Sequence, residues 1–150
     1  MSATCTAIAD ALVAALAGAT FSMPIAASRT YQPEVELAAG DGGVVVQVVP
    51  AEVESARLTR DPVIQADHAT HIGIQAQLTN PDPATDSASV DALLVLAQEI
   101  EEFVQATQIG PSESYPLTTR RDPLWSPDHL KNLRQFTTVI VATYRVTKKL

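Results

Sequence analysis

From Phe136 to Val146 the chain alternates without a break. One face carries Phe136, Thr138, Ile140, Ala142, Tyr144 and Val146; the other carries Val139 and Val141 among Thr137, Thr143 and Arg145. Successive side chains of a strand point to opposite faces and the strand rises about 3.3 Å per residue. The segment therefore reads as one long strand, able to be central in a sheet or to cross an interface. A fold that contains it needs partner strands and an apolar layer over the richer face.

Helices supply that layer. Val90, Leu93, Leu94, Ala97, Ile100 and Val104 recur at helical spacing and form a wide apolar stripe. Asp86 or Ser87 is placed to cap this helix. Glu99, Glu101 and Glu102 turn mostly outward and read as a solvated face rather than a metal site. Near the N-terminus Ile8, Leu12 and Leu16 make a second stripe among alanines, with Thr4 or Thr6 as cap and Gly18 as stop.

Further strands lie between the two helices. Met23 to Leu37 is an extended region broken by Pro24 and Pro33, in which Arg29 and Tyr31 share one face. Gly40-Asp41-Gly42-Gly43 is a turn cluster. No Gly-Lys-Ser/Thr follows it and a strand comes next, so it is a hairpin turn and not a phosphate loop. Val44 to Val49 is a β-branched run, stopped by Pro50 and suited to burial on both faces. Thr70, Ile72, Ile74, Ala76 and Leu78 alternate with His71, Gly73, Gln75 and Gln77, a half-buried strand with a wet face.

Two stretches read as long connections: 51–65, polar with scattered apolar residues, and 107–125, rich in Pro, Ser and charge. Ser126-Pro127-Asp128 opens a short helix with a cap, a proline at the first helical position and an acid in the first turn. The order of elements implies an α+β fold: a mixed, mainly antiparallel sheet of about four strands, with two main helices packed on one face. At 150 residues the chain is expected to form a single domain spanning 1–150.

Composition narrows the function. A formal charge of -7 speaks against a dedicated DNA-binding surface. The basic pairs Arg120-Arg121 and Lys148-Lys149 read as solvated surface. Cys5 stands alone, with no base at hand, and reads as a spectator thiol. The apolar run 7–19 carries Asp10, falls short of a membrane span, and follows no Lys or Arg that would begin a signal peptide. A protein made in the cytoplasm and not exported is expected.

His68 and His71, with Asp67, are the metal suspects. Three residues apart on a strand, the two histidines point to opposite faces and cannot share an ion. His129 has no partner identifiable by spacing. Gly-x-Ser-x-Gly, Cys-x-x-Cys and dinucleotide fingerprints are all missing from the sequence. No catalytic residue, metal site or cofactor is expected, and a reading as an enzyme rests on nothing positive. A ligand- or peptide-binding module would use the wet face at His71, Gln75 and Gln77.

The stretch Asp128-His129-Leu130-Lys131-Asn132-Leu133-Arg134-Gln135-Phe136-Thr137-Thr138-Val139, running into Ala142-Thr143-Tyr144-Arg145-Val146, resembles the C-terminal segment of bacteriophage tail-terminator proteins. The other pieces follow in the order that family has: an alanine-rich helix before Arg29-Thr30-Tyr31-Gln32-Pro33, the valine strand ending at Pro50, the strand 71–78 and the helix 91–104. The resemblance implies a structural virion protein of the tail or neck, assembled in the host cytoplasm. It implies a six-membered ring that caps the tail tube and meets the head connector, with DNA passing through the lumen unbound. A head-completion or connector subunit of the same assembly is the nearest alternative. The long strand edge and the stretches 51–65 and 107–125 are expected to supply subunit and tube contacts, with Trp125, Arg120 and Arg121 the preferred cluster because Trp and Arg are enriched at interface anchors. The alternative is that Trp125 plugs the body of its own subunit.

Overall fold

A computed structural model of the chain describes residues 3–31, 43–58, 60, 62–78, 87–109, 113–123, 125–133 and 135–150. Its elements are α1 (Thr4–Gly18), β1 (Ile25–Arg29), β2 (Val44–Arg57), β3 (Val63–Gln77), α2 (Ser87–Ala106), β4 (Thr118–Arg121), a π-helical turn (His129–Leu133) and β5 (Gln135–Lys149). The fold is α+β, and the strands form one mixed sheet in the order β1-β2-β3-β5-β4. β1 lies parallel to β2, and every other neighbouring pair is antiparallel.

The register explains the core. Val46 stands beside Ile74, Val48 beside Ile72, and Ile72 beside Ile140, so the even-numbered residues of β3, β5 and the first half of β2, up to Pro50, share one face. On that face Val44, Val46, Val48, Ile72, Ile74, Phe136, Ile140, Ala142 and Tyr144 are buried. Ile8, Leu12 and Leu16 of α1 join the same cluster, as do Leu93, Leu96, Ile100 and Val104 of α2. Both helical stripes are thus satisfied by one sheet face. An edge-to-face pair, Phe21 on Phe103 at 5.5 Å, joins the end of α1 to α2. Arg29 and Tyr31 do share a face, with the guanidinium 5.4 Å from the ring centre and Arg29 Nη1 donating to Tyr31 Oη at 3.0 Å.

Several expectations need correction. The sheet has five strands, because β4 lies inside the stretch 107–125, where an isolated bridge between Ile109 and Ser114 also closes a turn. The larger correction concerns 51–65. β2 does not stop at Pro50 but runs on to Arg57, and β3 begins at Val63, so the supposed loop is a long hairpin. Its β2 residues 51–57 are all exposed, so it carries no core-facing pattern that would separate it from a polar connection. Pro50 is accommodated by a bulge: Pro50 stands opposite Thr70 and Glu52 opposite Ala69, leaving Ala51 as the extra residue. α1 has no side-chain cap; Thr6 Oγ1 instead donates to the carbonyl of Ala3 at 2.8 Å. Ser126 Oγ accepts from His129 N at 3.4 Å, as a cap at that position should. The hairpin reading of 40–43 fails for the strands that flank it, because β1 and β2 run parallel and a hairpin joins antiparallel strands. The turn residues 40–42 themselves, the extended stretch 32–37 and the cap at Asp86 lie outside the described residues.

Candidate functional site

The face opposite the helices belongs to the odd-numbered residues of β3 and β5, and His71, Gln75 and Gln77 all stand on it, as alternation requires. It is drier than its sequence implies. Gln47, Gln75, Gln135 and Thr137 are buried there, while His71 is half-buried and Gln77 is exposed. Part of the cover is the π-helical turn, whose His129 Nδ1 lies 2.7 Å from Thr137 Oγ1. Gln135 Nε2 donates to the same hydroxyl at 3.2 Å. A binding module reading this face through Gln75 therefore finds that side chain enclosed. Two separate clefts flank Met23: one of about 260 Å³ with Val44, Leu78 and Leu93, and one of about 410 Å³ with Leu16, Phe21 and Ile25. Only the second reaches the roughly 300–1,000 Å³ of a small-molecule site.

His68 and His71 do point to opposite faces. His68 is buried on the helix side, level with Val53 and Tyr144; His71 stands level with Val49 and Val141 on the other side. Among the described residues no group of three His, Cys, Asp or Glu could hold a metal ion. Burial holds the His68 imidazole below its usual pKa, partly opposed by the neighbouring Asp67 carboxylate. Burial also pushes the Tyr144 phenol above its ordinary range. His68 Nδ1 and Tyr144 Oη are both enclosed without a hydrogen-bond partner, as is Gln75 Oε1.

The proposed contact cluster does not stand as one unit. Arg121 turns to the helix side, where its Nε donates to Glu101 Oε2 at 2.6 Å in a largely buried pair. Arg120 is on the opposite face, exposed, and meets Asp122 at 2.9 Å. Trp125 lies beyond β4 and is 39% exposed. The acidic run of α2 is also less idle than a solvated face. Glu99 accepts from Ser22 N and Oγ at 3.1 and 2.7 Å, so two of its three carboxylates strap α2 to neighbouring elements.

The least expected feature is the far end of the β2–β3 hairpin with the end of β5. There the sheet outruns its helical cover and forms a three-stranded ribbon. Val53 is 54% exposed, Leu58 50% and Leu150 64%. On the ribbon's open face Arg145 grips Asp67 through two hydrogen bonds of 2.8 and 3.1 Å. Those hydrogen bonds, chiefly, hold the Asp67 carboxyl below its ordinary pKa. Leu58 N donates to Val63 O near the hairpin tip, and Leu150 N to Pro62 O. The sequence signal for this ribbon was present in Val63-Ile64 and Val146, but diluted by the polar residues between them.

These features define an α+β protein whose most distinctive surface is an uncovered β-ribbon. The chain matches no protein-family model and no curated protein sequence. Among the described residues no helix is long and apolar enough to cross a membrane.

Proposed function

We propose that this chain is a structural virion protein, a phage tail-terminator subunit without catalytic activity. Six copies form a ring that caps the tail tube and meets the head connector. The observation that carries the reading is the ribbon: a sheet extended past its own core, with apolar side chains left in water, is built to be covered by another chain. The resemblance of 128–146 to tail terminators says which assembly does the covering. The net charge of -7 suits a lumen through which DNA slides without sticking.

Mass measurement in solution with negative-stain imaging, alone and with a phage tail-tube protein, tests the proposal. Six-fold rings in either condition are expected. A compact monomer in both would overturn it. A ring that binds portal-side proteins and ignores the tube would instead make the chain a head-completion subunit.

A further inference from the structure

Among the described residues the ribbon has two uncovered edges, and they differ in charge. β1 pairs with β2 only from Val44 to Val48, and β4 pairs with β5 only from Ile140 to Thr143. Among the described residues no strand covers the outer edge of β2 from Glu52 to Arg57, or that of β5 from Arg145 to Lys149. Glu52 and Glu54 project from the β2 edge onto the open face, level with Ala69 and Asp67. Arg145 and Lys149 project from the β5 edge onto that same face, level with Asp67 and Val63. Two of the chain's three lysines, Lys148 and Lys149, stand at this one edge of an acidic protein.

We infer that the β5 edge of one copy pairs with the β2 edge of the next, so that the ring is closed by one sheet running through every subunit. This rests on the ring reading and says where its joint lies. Like edges brought together would oppose Glu to Glu or Lys to Lys; only head-to-tail contact opposes unlike charges, and head-to-tail contacts are the kind that close rings.

Strand direction agrees. β2 and β5 are each antiparallel to β3, hence parallel to one another. A rotation axis along the strands therefore sets β5 beside the next copy's β2 in parallel, with every helix kept on one side of the sheet. One register satisfies both faces: Arg145 to Lys149 alongside Glu52 to Ala56. It sets Glu52 beside Arg145 and Val53 beside Val146, with Glu54 diagonal to both Arg145 and Lys149. It leaves Arg57 level with Leu150 and diagonal to Lys148, a like-charge contact at the strand ends.

Charge exchange tests the joint. One variant carries Glu54→Lys with Ala56→Lys, the other Thr147→Glu with Lys149→Glu. All four positions are exposed, so both variants keep the native circular dichroism spectrum. Each alone is expected to lose self-association by roughly tenfold or more at low salt. An equimolar mixture is expected to recover rings, because each variant's altered edge meets its complement and alternating copies close a six-membered ring. If wild-type rings form and either variant assembles as well as wild type, the edges are not the joint and the ring reading stands without it. Loss of assembly that mixing fails to restore also overturns the joint. So does a K149E variant that associates more tightly, because that lysine would then serve to keep the edge unpaired. A wild-type chain that is monomeric alone and with tube protein removes the ring and the joint together.

Discussion

His68 and Tyr144 face each other across β3 and β5 with a nitrogen and a hydroxyl that are enclosed and unpartnered. Each has a measurable consequence. In the fold, burial holds the imidazole pKa below its ordinary value, whereas the unfolded chain takes up its proton near that value, about 6.5. The unfolded state thus binds more protons just below that value. The stability that neutral His68 contributes is complete above it and is lost as pH falls, levelling off once pH passes below the folded value. Urea midpoints between pH 8 and 5 should show this slope, and His68→Gln should flatten it; an unchanged slope would mean that the imidazole ionises freely in the fold. For Tyr144 the expectation is neutral to favourable. Removing a hydroxyl that is desolvated and unbonded should leave Tyr144→Phe as stable as the parent, or more stable by up to about 1 kcal/mol. A loss greater than about 1 kcal/mol in denaturant titration would reveal a partner for the hydroxyl.

Among the elements, the two helices and the last strand were readable because their apolar residues keep one period and meet one core. Ile8, Leu12 and Leu16, and likewise Leu93, Ala97, Ile100 and Val104, are all buried where their spacing put them. β4 was not readable. Thr118–Arg121 has no apolar side chain, and it is a strand because it completes the edge of β5. What holds it from the helix side is Thr119, whose hydroxyl accepts from Gln105 Nε2, together with Arg121 on Glu101. That pair is shielded enough for either single truncation to cost about 1–3 kcal/mol. A double-mutant cycle on Arg121→Ala and Glu101→Ala should return a coupling near the upper end of what exposed pairs show, about 1 kcal/mol or more. Additive losses would make the contact incidental. The same finding narrows the candidate site. Spacing could mark Arg120 and Arg121 as a pair, but alternation sends them to opposite faces and commits Arg121 to its own subunit.

For the whole molecule, sequence pattern carried the α+β class and the single-sided helical layer but missed the ribbon, because a strand wet on both faces has no apolar period to recognise. The candidate surface was least legible for the same reason: its information lies in backbone edges, which no side-chain pattern records. Trp125 remains the side chain of the expected cluster that is free to meet a neighbour. Trp125→Ala should leave the thermal unfolding of the subunit nearly unchanged while weakening assembly in sedimentation; a destabilised monomer would place the indole in its own subunit's packing. The bulge at Ala51 sits where the covered sheet becomes ribbon. Deleting Ala51 in a Pro50→Val background, where no proline needs the bulge, would keep every other residue with its present partner and on its present face, while removing the local bend and added twist that a bulge imposes. The subunit would fold as before, yet in the proposed ring its two edges would meet their neighbours at a different angle. One residue would then act as the gauge of curvature, and its loss should appear in mass measurements as a ring with a changed number of members.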